Sequence, residues 1–291
     1  MEKLMDGKVV AEQIYSEISS GYLLALESGK LKRKPKLMIV MLGNNEASAI
    51  YIKMKIKACE KLGFDYEVDH HPEAEKYSTE QVIEKIVRKH NLDSGVDGII
   101  VQMPLPPQID KTAVIRAIDP SKDVDGLHPL SYGETALGVE FEYYAPCTAR
   151  GVVKMLEYYN VPIAGQRVVV IGSGIIAGKP IAMMLSNRKA TVTVCNSKTR
   201  DLADITRQAD ILVVAVGSAR MIKADMVKEG AVVVDVGISR DGLEKISGDV
   251  DFEKVSPKAR LISPVPGGVG KLTVACLMEN LLKAAVAPRK I

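Results

Sequence analysis

At 291 residues, 47% hydrophobic and 26% charged, the chain has room for two domains at most and is too apolar for a disordered or fibrous protein. Lysine plus arginine (39) barely exceed aspartate plus glutamate (36), and a net charge of +3 leaves no electrostatic footprint for nucleic acid. No apolar run reaches the ~18 residues of a membrane span, the first residues read as mature protein, and Cys59, Cys147, Cys195 and Cys276 form no CxxC, so a soluble intracellular protein without a zinc site or disulfide framework is expected.

Residues 8–29 carry helical spacing, and Lys36 to Gly43 (KLMIVMLG) is a compact apolar run that predicts a buried strand. A helix follows over 46–62, ended by Gly63. Residues 78–91 open with a capping box, Ser78 with Gln81. Gly98 to Met103 (GIIVQM) predicts a second buried strand, stopped by Pro104. Helix is expected again over 149–160. Strands are expected at Arg167–Ile171, Ala190–Cys195, Ile211–Val216 and Ala231–Val236, with a last helix over 270–288. This alternation predicts an α/β protein of two domains: an N-terminal α/β substrate domain and a doubly wound, Rossmann-type dinucleotide domain. The expected boundaries are 1–146 plus 270–291, the C-terminal helix returning to the first domain, and 147–269, with a linker within 133–150.

Gly172-Ser173-Gly174, followed by Gly178, lies between a strand and a helix, where glycines let the backbone approach a pyrophosphate. After the next strand, Cys195-Asn196-Ser197-Lys198-Thr199-Arg200 offers no acid for a ribose 2′-hydroxyl. Hydroxyl and basic groups there suit a 2′-phosphate, so NADP is favoured over NAD. Tyr51 and Lys55 stand one helical turn apart on a stripe with Met54, Ala58, Cys59 and Leu62, whereas Lys53, Lys57 and Lys61 lie opposite. A lysine within an apolar stripe gives up its proton more readily and suits acid/base work, or else it snorkels at the rim of a core. Gln102 is an amide within an apolar strand, either bonded to backbone or orienting a ligand at the strand end. Lys122-Asp123-Val124-Asp125-Gly126 lacks the spacing of a calcium loop and reads as a turn or as a carboxylate grip for a ligand's NH groups. Pro264-Val265-Pro266-Gly267-Gly268-Val269-Gly270 fixes an unusual backbone path into the last helix.

Together these segments resemble the bifunctional methylenetetrahydrofolate dehydrogenase/cyclohydrolase family over nearly the whole chain. The carriers are Tyr51-x-x-x-Lys55, Val101-Gln102-Met103-Pro104-Leu105-Pro106, Lys122–Gly126, Pro146-Cys147-Thr148 and Pro264–Gly270, in that order. The resemblance implies oxidation of 5,10-methylenetetrahydrofolate with NADP, then hydrolysis of the methenyl product to 10-formyltetrahydrofolate, both steps using one folate site. It implies Lys55 as the acid/base group, Gln102 as its positioning partner, Tyr51 against the pterin and Asp125 on the pterin edge. Val101, Met103, Pro266, Gly267, Gly268, Val269 and Gly270 complete the expected substrate contacts, and Gly172, Ser173, Gly174, Ser197 and Ile238 the cofactor contacts. It further implies a cytoplasmic homodimer of one-carbon metabolism, serving purine synthesis, with no metal. The chain departs from the family pattern at Ser173 and Gly174, at Ala149 in place of the proline of PCTP, and at Lys271 in place of the proline after PVPGGVG.

Three other readings compete. A short-chain dehydrogenase places its glycine loop before YxxxK, the reverse of the order here. A non-catalytic dinucleotide-binding regulator needs neither Gln102 nor the Lys122–Gly126 segment. A monofunctional dehydrogenase lacking cyclohydrolase is opposed by the retention of Lys55 and Gln102.

Overall fold

The alternation of helix and strand becomes two parallel sheets, each with its own core. The computed structural model describes residues 4–138, 144–240 and 246–287. Helix α1 (Gly7–Glu27) leads to β1 (Lys36–Leu42), buried along all but its first residue. Helix α2 (Glu46–Leu62) starts at Asn45, whose side chain accepts from the Ser48 N–H, and stops at Gly63 in the left-handed conformation, φ 69°. Strand β2 (Asp65–His71) follows. Next comes a helical run of α3 (Thr79–Val82), one π turn (Ile83–Val87) and α4 (Arg88–Leu92), with the Ser78–Gln81 capping box formed. Strand β3 (Gly98–Val101) and helices α5 (Lys111–Ala117) and α6 (Pro129–Leu137) complete this half. The sheet order is β2-β1-β3, all parallel.

The second half holds α7 (Cys147–Tyr158), β4 (Arg167–Ile171), α8 (Gly178–Asn187), β5 (Thr191–Cys195), α9 (Leu202–Thr206), β6 (Ile211–Val214) and β7 (Val232–Asp235). A short antiparallel pair, β8 (Ser239–Arg240) and β9 (Ile246–Ser247), precedes α10 (Phe252–Val255), β10 (Leu261–Ile262) and α11 (Val269–Val286). Its main sheet runs β10-β7-β6-β4-β5, again parallel.

Two compact units result. One comprises Met1–Gln13, Thr135–Val139 and Pro146–Thr273; the other comprises Ile14–Glu134, Glu140–Ala145 and Val274–Ile291. The start of the chain joins the five-stranded unit because the Met5 N–H donates to the Ile262 carbonyl and the Gly7 N–H to the Gly267 carbonyl. The C-terminal helix returns to the three-stranded unit. Leu281 on α11 and Val124 leave no room for a side chain at Gly98, and the Asn280 amide donates to the carbonyls of Val124 and Ala145. Side chains such as Val40, Ile99 and Val101 fill one core, and Val169, Leu212 and Val233 the other. Each such burial stabilises by ~1.5–3 kcal/mol.

The structure departs from the expectations at several points. Strand β2 reads DYEVDHH, a polar and largely exposed edge strand that carries no apolar run. Strand β3 ends at Val101, so Gln102 stands just past the strand rather than within it, its N–H still donating to the Val40 carbonyl. Strand β5, expected as a short apolar strand, is the outermost strand, exposed along much of its length until Cys195. The predicted linker over 133–150 is partly helix, since α6 runs to Leu137 and α7 starts at Cys147; residues 139–143 lie outside the described residues. Among the described residues no helix is long and apolar enough to cross a membrane. All four cysteines are buried and none is in a disulfide, and burial pushes the Cys59 thiol up to about 12.

Candidate active site

Lys55 is buried among apolar neighbours on α2, at 6% exposure, as its place in the stripe predicts; Ile52, Ala58, Cys59 and Leu62 are buried with it, while Lys53, Lys57 and Lys61 are exposed. Its Nζ donates to Oε1 of Gln102 at 2.7 Å. Gln102, 8% exposed, turns its amide nitrogen to the Met103 carbonyl at 2.7 Å. That carbonyl also accepts from the Ser48 hydroxyl at 3.1 Å. A carbonyl can only accept, so the Gln102 NH₂ must face it and the amide oxygen must face Lys55. The amide is thereby fixed as an acceptor for the lysine in either protonation state. Tyr51 is half-buried one turn before Lys55, and burial raises its phenol, which therefore stays neutral at ordinary pH.

The segment Lys122–Gly126 is held from several directions. Buried Lys122 gives its ammonium to the carbonyls of His90, Asn91 and Asp93, capping the end of α4. Asp123, 1% exposed, accepts from the His128 N–H at 2.7 Å and from the Ser131 hydroxyl at 3.1 Å, tying the turn to the start of α6. Burial pushes the Asp123 carboxyl up to about 7, the neighbouring Asp125 charge adding to the rise and the N–H groups of His128 and Leu127 opposing it. Asp125 stands half-buried between these anchors. The two aspartates of this motif thus separate into a structural cap and a candidate ligand group. Tyr51, Lys55, Val101, Gln102, Met103 and Asp125 all belong to the three-stranded unit, where the structure joins Lys55 directly to Gln102.

Gly172, Ser173, Gly174, Ser197 and Ile238 belong to the five-stranded unit, as do Pro266, Gly267, Gly268, Val269 and Gly270. A Cβ on Gly172 would stand 2.1 Å from the Ala215 carbonyl oxygen, and one on Gly178 would stand 1.9 Å from the Gly172 carbonyl oxygen. These two glycines let the turn pack against β6 and against α8. Gly174 differs, because a Cβ there meets nothing within 4 Å. The turn is therefore tight behind and open in front, beside an α8 N-terminus with no side-chain cap bond, which fits a dinucleotide pyrophosphate. Ser197, Lys198 and Arg200 are exposed just past β5, and no carboxylate stands among residues 196–200. These groups fit a 2′-phosphate. Ile238, 42% exposed, lies past the end of β7.

The profile of the tetrahydrofolate dehydrogenase/cyclohydrolase catalytic domain matches residues 5–125, and that of the family's NAD(P)-binding domain matches residues 146–289. The chain belongs to the tetrahydrofolate dehydrogenase/cyclohydrolase family. It is 46% identical over 281 residues to the bifunctional protein FolD of Hydrogenobaculum sp., covering 97% of this chain and 98% of that one. The structure of the bifunctional FolD enzyme from Campylobacter jejuni superposes with a TM-score of 0.90 at 43% identity, covering 97% of this chain and 98% of that one. The Trypanosoma brucei dehydrogenase-cyclohydrolase, solved with NADP and an inhibitor, superposes with a TM-score of 0.89 at 37% identity, covering 97% and 96%.

Ser48 escaped the sequence reading. Its signal is its spacing, three residues before Tyr51 and seven before Lys55, which places a small polar side chain on the same helical face. The holding role of Lys122 had no comparable signal, since its partners lie up to 32 residues away.

Proposed function

We propose that Lys55 carries the proton transfers of this enzyme, that Gln102 positions it, and that Asp125 and Tyr51 hold the pterin. The chain is a bifunctional one-carbon folate enzyme. It oxidises 5,10-methylenetetrahydrofolate to the methenyl cation with NADP and hydrolyses that cation to 10-formyltetrahydrofolate. The observation that carries the assignment of residues is the buried 2.7 Å contact between Lys55 Nζ and Gln102 Oε1.

When bound, NADP supplies the hydride acceptor. Hydride loss leaves a cationic substrate, so the first step asks for no strong general acid. In the second step water adds to the methenyl carbon and must lose a proton, and the leaving nitrogen must gain one as its bond to that carbon breaks. An amine that takes the first proton and returns one to nitrogen serves both transfers. Gln102 Oε1 accepts from Lys55 throughout, which keeps the amine aimed while its charge changes. A permanent ammonium beside the cation would oppose the reaction, which suits a lysine set among apolar side chains rather than in open solvent.

An assay of methylenetetrahydrofolate with NADP and with NAD, following methenyl and formyl products separately, tests this function. Both products are expected, with kcat/KM favouring NADP through Ser197, Lys198 and Arg200. Because Ser173 supplies no positive charge, the preference should be smaller than a basic clamp there would give. A ratio favouring NAD would overturn the cofactor reading, and a product that stops at methenyl would identify the monofunctional alternative.

The proposed assembly is a homodimer paired through the five-stranded unit, supported by the family resemblance. Strand β5 is the outer edge of its sheet and Val194 on it is 42% exposed, the kind of edge that proteins cover. Light scattering should give a mass near twice 31.6 kDa, and a single-chain mass at every concentration would contradict it. A cytoplasmic location is proposed from the four buried, unbridged thiols, which suit a reducing compartment.

A further inference from the structure

Beyond the expected cofactor contacts, Asp249 occupies an unusual place in the five-stranded unit. Its side chain is fully buried, and its carboxylate accepts three successive backbone N–H groups: Val216 at 2.7 Å, Gly217 at 2.9 Å and Ser218 at 2.7 Å. Successive N–H groups converging on one point form the concavity that elsewhere binds a ligand anion. Here the protein's own carboxylate fills it. The loop leaving β6 therefore has no N–H groups at this point to offer a phosphate, which leaves the pyrophosphate to Gly172–Gly174 and the start of α8.

The same carboxylate reaches the loop leaving β7. A Cβ on Gly237 would stand 2.0 Å from its carboxyl carbon, so the backbone beside Ile238 is packed directly onto it. Asp235, at the end of β7, holds Asp249 in turn. Its carboxylate accepts from the N–H groups of Asp249 at 3.0 Å, Val250 at 2.9 Å and Gly237 at 3.1 Å. Ala215, one residue before the three bonded N–H groups, is the residue on which Gly172 packs. The exits of two adjacent strands, β7 and β6, are thus fixed through the buried carboxylates of Asp249 and Asp235 at their carboxyl ends, where parallel sheets bind ligands, and the exit of β4 packs beside them on Ala215.

We propose that Asp249 is a positioning residue for the dehydrogenase step, holding the loops after β6 and β7 in the shape that receives the nicotinamide half of NADP before it binds. This rests on the dinucleotide assignment of the Gly172–Gly174 turn. Asp249→Asn keeps the shape but turns an NH₂ toward at least one backbone N–H. The second reaction needs no dinucleotide, so each variant carries an internal reference. In Asp249→Asn, dehydrogenase kcat/KM for NADP is expected to fall roughly 10- to 100-fold relative to the rate of methenyl hydrolysis, with the loss in KM for NADP rather than in KM for the folate. An unchanged ratio, or an equal fall in both activities, would overturn the proposal. A measurement without substitution guards against a variant that does not fold. In the dinucleotide-free enzyme the amides of Val216, Gly217 and Ser218 should already be protected from hydrogen exchange, and exchange at open-loop rates until NADP is added would also overturn it. Gly174→Val separates the two levels, since its side chain enters open space where the phosphate is expected. If Gly174→Val binds NADP normally, the dinucleotide assignment fails. If it loses NADP while Asp249→Asn does not, only the positioning role fails.

Discussion

Methenyltetrahydrofolate hydrolysis in a Lys55→Met enzyme is expected to fall by roughly 10²- to 10⁴-fold, the usual loss on removing a general acid/base group, with a smaller fall in hydride transfer. Methionine matches lysine in length and lack of branching, and Ile52, Ala58 and Cys59, within one turn of Lys55 on α2, are buried, so the helix should keep its packing. The substitution leaves Gln102 Oε1 without its lysine donor, a buried acceptor whose loss of a partner costs ~1–3 kcal/mol. A modest drop in melting temperature therefore accompanies the kinetic loss and is to be measured beside it. The two activities should separate because only the hydrolysis must both take up and return protons at the reacting carbon and nitrogen. A folded Lys55→Met protein that hydrolyses methenyltetrahydrofolate at the unchanged rate would remove Lys55 from its proposed role.

The second large effect is expected at Asp125. A carboxylate can accept two bonds from the amino and ring NH groups of a reduced pterin, and such charge-assisted bonds are strong. Asp125→Asn sets a donor against a donor, and folate binding should weaken by ~2–3 kcal/mol, roughly 30- to 150-fold. Both activities should fall together, because both use the same bound pterin, while NADP affinity should hardly move. Asp123→Asn is the matched control. Asparagine still accepts from the His128 N–H and the Ser131 hydroxyl, which share one carboxylate oxygen, and gives up the Leu127 N–H, so the turn keeps its tie to α6 and folate affinity is retained.

Its effect should appear in the pH dependence of stability. The folded Asp123 carboxyl sits at about 7, far above the ~3.9 of an unfolded chain, so its share of stability is whole below the lower value and is lost as pH rises through the upper one. Thermal melts should therefore show Asp123→Asn gaining on the parent between those two pH values and holding its advantage above them. Loss of folate affinity in Asp123→Asn but not in Asp125→Asn would exchange the two roles.

How much of this was legible in the sequence depended on whether the determining interaction was local. Helix α2 was readable to its ends, because Gly63 and the apolar stripe act within one or two turns. That stripe also marked Lys55 as the lysine out of place, and the glycine turn after β4 announced itself by its position between strand and helix. The ordered motifs were enough to indicate the family. Strand β2 was not legible, since an edge strand needs no apolar run and gains its place only by pairing with β1. The boundary at Gln102 was decided by distant groups, with Lys55 lying 47 residues away and Ser48 reaching the Met103 carbonyl across 55. The turn motif already set Asp123 as the cap and Asp125 as the ligand group, but the groups that hold Asp123, the His128 N–H and the Ser131 hydroxyl, were visible only in the structure. Sequence alone could not single out Asp249, an aspartate like any other until the N–H groups of Val216, Gly217 and Ser218, more than 30 residues earlier, close around its carboxylate. Periodicity and capping are short-range and survive in the linear code, whereas burial of a charge and the partners that satisfy it exist only once distant segments meet.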